Sequence, residues 1–202
     1  MVLVQAHVND AGECPRPLVV RSVYLLFFDG GSRGNPDPGG AGSVIVRPDT
    51  DTHAAELRWA VSMSYGSTTT IYNTAEYWVL VHGLRCATFE GYTPLHFIGD
   101  SAMIIRQLRH HRPLKSIGLR MLYKSARGCA DSLGVLSWTH HYRDFNKMTD
   151  RAANIAMDSS RSVQTYADDD LLIMADLVRF LVSDVGHWTS THQQVRPDLD
   201  AF

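Results

Sequence analysis

The chain has 202 residues, 45% of them hydrophobic and 20% charged, which is the composition of one globular domain with room for a sizeable core. A formal charge of −2 lacks the Lys and Arg excess of an ordinary polyanion binder. Cys14, Cys86 and Cys129, with no CxxC pair, exclude a disulfide framework and a usual zinc site.

Residues 1–21, with Asp10, Gly12, Pro15 and Pro17, read as an extension ahead of the fold. They carry no secretory signal, and the apolar stretch 18–28 is interrupted by Arg21 and Ser22. A membrane span needs ~20 apolar residues, so a cytoplasmic or nuclear protein without membrane association is expected. Residues 23–28 form a continuous apolar run, as in a strand buried on both faces, ending in Asp29. The glycine- and proline-rich residues 30–40 then predict a turn-rich loop.

Strands follow over 42–47 and 57–63, making an antiparallel meander. From 73 to 90 the period changes: Ala75, Val79, Leu80, Gly83, Leu84 and Ala87 mark one face of a helix. A strand at 95–98, helices at 101–108 and 117–132, a fifth strand at 135–140 and a helix at 146–158 complete the domain. Residues 159–167 read as a polar linker. Leu171, Ala175, Val178, Val182 and Val185 predict an amphipathic helix over 168–185, followed by a polar tail.

The expected fold is thus α/β, in the order βββ-α-β-α-α-β-α plus an extra C-terminal helix. Its five-stranded mixed sheet has strands 1–3 antiparallel and strands 4 and 5 parallel. The expected division is an extension at 1–21, a domain at 22–158, and linker, helix and tail at 159–202.

Four carboxylates fall at strand ends or helix starts. Asp29 and Asp100 end strands, Glu76 lies in the first turn of the helix after the meander, and Asp150 lies near the start of the helix after strand 5. Ser101 fits a helix cap. Four converging carboxylates repel one another unless cations neutralise them, and oxygen-only ligands select Mg²⁺ or Mn²⁺.

The stretches that carry these residues are 28–42 (FDGGSRGNPDPGGAG), 73–77 (NTAEY), Asp100-Ser101 with Gln107-Leu108, and 143–150 (RDFNKMTD). Together they resemble a type 1 ribonuclease H, in family order over residues 23–158. The resemblance implies an endonuclease that hydrolyses the RNA strand of RNA–DNA hybrids with two Mg²⁺ ions, Mn²⁺ being a substitute, leaving 5′-phosphate and 3′-hydroxyl ends. It makes Asp29, Glu76, Asp100 and Asp150 the metal ligands and catalytic carboxylates. It assigns hybrid contacts to Gly30, Gly31, Ser32, Asn35, Asn73 and Ser101. His140 takes the place of a proton-moving histidine, with His141 as the competing assignment.

Asp37, Thr149, Tyr72 and Ala102 depart from the family pattern; none is a metal ligand, so retained catalysis with an altered grip on the substrate is expected. The alternative is a catalytically weak, retroelement-derived module that binds nucleic acid or protein, and the helix at 168–185 is the expected surface for a protein partner or self-association. Charge is also unevenly spread: residues 101–151 hold 10 Lys and Arg against 3 Asp and Glu. That basic half suits a phosphate backbone in spite of the near-neutral total.

Overall fold

The structure is a computed structural model that describes residues 23–32, 39–49, 52, 54–65, 72–112, 116–169 and 172–193. The extension at 1–21 and the loop tip with Asn35 and Asp37 lie outside the described residues, as do the side chains of Ser32 and Tyr72.

Strands β1 (Tyr24–Ser32), β2 (Gly39–Pro48) and β3 (Ala55–Tyr65) form the meander, followed by helix α1 (Tyr72–Glu90). Then come β4 (Leu95–Gly99), α2 (Ala102–Arg109), α3 (Ile117–Ser132) and β5 (Val135–His140). A single 3₁₀ turn (Arg143–Phe145) leads into α4 (Lys147–Ser159), and β6 (Val163–Tyr166) and α5 (Leu172–Gln193) close the described chain. The sheet order is β5-β4-β1-β2-β3-β6. Strands β1 to β3 pair antiparallel, whereas β4 runs parallel to both β1 and β5. No described helix is long and apolar enough to cross a membrane.

The continuous apolar run of β1 is explained by a core on each face. Leu26 and Phe28 point to the side covered by α1, α2 and α3, and Leu25 and Phe27 to the side covered by α4 and α5. Gly42 of β2 lets α4 sit directly on the sheet. A Cβ there would lie 2.3 Å from the Thr149 carbonyl oxygen and 2.6 Å from the Ala152 Cβ.

Several expectations need correction. The sheet has six strands, not five: residues 163–166 of the supposed linker pair antiparallel with β3, Val163 opposite Ser62 and Tyr166 opposite Trp59. Gln164 of this edge strand faces solvent while the inward residue is the polar Thr165, so no apolar alternation marks it. Strand β1 continues past Asp29, because Gly30, Gly31 and Ser32 pair with Ala41, Gly40 and Gly39. Helix α1 starts at Tyr72, which puts Glu76 in its second turn rather than its first.

Helix α5 begins at Leu172 and runs on through Gly186 to Gln193, replacing part of the expected tail. Of the expected stripe it buries Val185, but the rest of its buried face is different. Met174, Leu177, Leu181, Val185 and Trp188 enter the core, while Val178 and Val182 stay exposed. The helix has two apolar stripes, and the one with the larger side chains removes more surface from water. Cys86 and Cys129 are free thiols, and Cys14 lies outside the described residues.

Candidate active site

Parallel pairing of β1 with β4 ends at Phe28 and Gly99, and the next residues of these strands are Asp29 and Asp100. Open α/β sheets place ligands at such carboxyl ends. Glu76 reaches the same point from α1 because residue 30 is glycine: a Cβ there would stand 2.8 Å from the Glu76 Cγ. Ligand oxygens of Asp29, Glu76 and Asp100 all lie within 4.8 Å of one another.

Asp150 sits in the first turn of α4 and stays outside that tight group. Its Oδ2 accepts a bond from Asn154 Nδ2 at 3.0 Å. Arg143 connects it to the others, with Nε 3.7 Å from Asp100 Oδ2 and 3.9 Å from Asp150 Oδ1. Asn146 fastens the start of α4 to β1 by donating its Nδ2 hydrogen to the Phe28 carbonyl at 3.0 Å.

Asp29 and Glu76 are each only 2% exposed. Burial, then the nearby Asp100 charge, raises the Asp29 carboxyl far above the usual carboxylate range. Asp100 is raised as well, mainly by burial, although its hydrogen bond with Asp29 and the Arg143 charge oppose the shift. Burial pushes Glu76 up to about 8 against a hydrogen bond from Ser101. Thus Ser101 bonds to Glu76 and makes no side-chain cap for α2.

Three buried oxygens in the group, Asp29 Oδ1, Glu76 Oε2 and Asp100 Oδ1, have no hydrogen-bond partner. Buried polar atoms are normally satisfied, and three oxygens that converge unsatisfied fit a hard divalent cation. Asp29, Glu76 and Asp100 would hold it, with Asp150 at the rim.

The two histidines have different settings. The Nε2 hydrogen of His140 is donated to the Asp100 carbonyl at 3.1 Å, and the ring is exposed. His141 is buried, with Nδ1 bonded to the Phe145 carbonyl at 3.1 Å. Only His140 therefore has access to a substrate at the carboxylates.

Gly30 and Glu76 are buried together, Gly31 and Asn73 are half-buried, and Asn35 lies outside the described residues. Sequence reading missed the bridging position of Arg143 and the anchoring bond of Asn146. Both lie in the quoted 143–150 stretch, but a bond from Asn146 to a carbonyl 118 residues earlier has no sign in the sequence.

A family model described as reverse transcriptase-like matches residues 27–156. The chain belongs to this family of ribonuclease H domains. Ribonuclease HI of Halobacterium salinarum is 32% identical over 134 residues, covering 66% of this chain and 64% of that protein. The bifunctional protein Rv2228c of Mycobacterium tuberculosis is 34% identical over 151 residues, 75% of this chain but only 40% of that protein. The solved N-terminal RNase H domain of Rv2228c superposes with a TM-score of 0.61 at 31% identity, covering 69% of this chain and 96% of that one. LC11-RNase H1, solved in complex with an RNA/DNA hybrid, gives 0.55 at 26% identity over 68% of this chain and 98% of that one. The residues matched by the family model run from β1 into α4 and stop before β6 and α5.

Proposed function

We propose that the chain is an endoribonuclease that hydrolyses the RNA strand of RNA–DNA hybrids at Asp29, Glu76, Asp100 and Asp150. The observation that carries this reading is the convergence of three buried carboxylates with unsatisfied oxygens at the carboxyl ends of β1 and β4. The hybrid held by LC11-RNase H1 supports the substrate class.

Divalent cations bound here, two Mg²⁺ ions in the full reaction, would activate a water and stabilise the leaving 3′-oxygen, giving 5′-phosphate and 3′-hydroxyl ends. The protein's part is to hold acceptor oxygens in place. Glu76, beside Gly30 and bonded by Ser101, would also sense the RNA 2′-hydroxyl that distinguishes RNA from DNA. His140, tethered by Nε2 to the Asp100 carbonyl, keeps Nδ1 as its proton acceptor at the site mouth.

The test is cleavage of a labelled RNA–DNA hybrid in Mg²⁺, with single-stranded RNA and duplex DNA as controls. Asp29→Asn should lower the rate at least about a thousandfold, the several kcal/mol that a cation supplies to the transition state. Hybrid binding without cleavage in either Mg²⁺ or Mn²⁺ would overturn the enzyme reading in favour of a binding module.

A further inference from the structure

Helix α5 packs against the start of α4, beside the carboxylate site, without contributing a residue to it. Asp184, in the middle of α5, is fully buried, and its Oδ2 accepts the backbone N–H of Met148 at 2.8 Å. The first N–H groups of a helix have no partner within it. In α4 the residue before the helix, Asn146, makes no side-chain cap and bonds to Phe28 instead. Asp184 therefore performs the capping task from 36 residues away. Its carboxylate also faces the positive end of the helix.

Met148 is two residues from Asp150, whose carboxylate bond from Asn154 comes from the same helix. The placement of Asp150 is thus the placement of the first turn of α4. Other contacts of α5 secure this segment. His187 lies parallel to Phe145, with ring centroids 3.7 Å apart, in the turn that carries Arg143. Arg151 of α4 pairs with Asp176 at 2.6 Å, and Met148 and Ala152 share a core with Leu177, Leu181 and Val185.

We propose that Asp184 is a positioning residue: by fixing the first turn of α4 it sets Asp150 against Asp29, Glu76 and Asp100, and with it the affinity of the site for divalent cations. This rests on the reading of the four carboxylates as a cation site. This helix lies beyond the residues that the family model matches.

The experiment measures Mn²⁺ binding to the full chain by calorimetry, beside thermal melting and hybrid cleavage. Asp184→Ala should weaken Mn²⁺ binding about tenfold, the effect of losing a group that orients a metal ligand. Asp184→Asn keeps an acceptor for the Met148 N–H but loses the charge, and should weaken binding only about threefold. Val182→Ala, on the exposed side of α5, should change nothing.

Asp184 variants that melt earlier yet bind Mn²⁺ as tightly as wild type would show a purely structural role and overturn the proposal. If Asp184→Ala does not fold, Asp184→Asn decides on the same criterion, unchanged binding being the adverse result. A wild-type chain that binds Mn²⁺ but never cuts hybrid sinks the nuclease reading and leaves the Asp184 test standing. One that binds no Mn²⁺ overturns both.

Discussion

A carboxyl that burial pushes up to about 8, as at Glu76, keeps in the folded chain a proton that the unfolded chain has already lost. From its ordinary value of 4.5 up to about 8, the folded state binds more protons, so stability falls as pH rises through that window. Asp29 and Asp100 act in the same direction. Without divalent cations the melting temperature should therefore drop between roughly pH 5 and 8, on the order of 5 °C. Mg²⁺ should restore it at the upper end and do little at the lower end. Asp29→Asn, though inactive, should melt above the cation-free wild type near pH 8. A flat or rising cation-free profile would contradict the proposed electrostatics. Much of this cluster was legible in sequence, because strand ends and helix starts of an open α/β sheet fall at one edge, and four acids stand at such positions within the quoted stretches. The division between His140 and His141 was not, since it depends on which ring the Phe145 carbonyl captures.

Helix α4 and strand β2 meet through small residues, and this contact is sensitive to a single methyl group. Gly42→Ala would drive a Cβ into the Thr149 carbonyl and the Ala152 Cβ, and neither can rotate aside. It should cost about 3 kcal/mol in a urea titration, the upper range for overpacking. It should also reduce cleavage, since α4 carries Asp150. Gly128→Ala offers a comparison of opposite sign. It lies within α3 with nothing within 4 Å of the new Cβ, and should stabilise by up to about 1 kcal/mol through helix propensity. The alanines of α4 stand in the sequence at 152, 153 and 156, but nothing there shows that Gly42 lies against them. The four residues of β6 were not legible either, because their partner strand lies about a hundred residues earlier. The buried face of α5 was misread because two apolar stripes compete on it, and Asp184 bonds to a backbone N–H, which has no signature in sequence.

Across the whole molecule, the near-neutral charge separates into a basic half and an acidic end. Arg106, Arg109, Arg112, Arg120 and Lys124 are exposed on or beside α2 and α3, while 7 Asp follow residue 165. Hybrid affinity should fall about a hundredfold between roughly 50 and 200 mM salt, the response of about four neutralised phosphates. Lys124→Ala should reduce the logarithmic salt slope by about one. A salt-independent affinity would mean that these residues are only a solvated surface. The bond from Asp184 to Met148 also gives the fold a sequence in time. A chain made from its amino end can form its sheet core and α4 before residue 184 has been synthesised. Asp29, Glu76 and Asp100 would then be in place while Asp150 rides on a helix with an unfastened first turn. On that proposal a nascent chain would hold an incomplete carboxylate site, and docking of α5 would complete it.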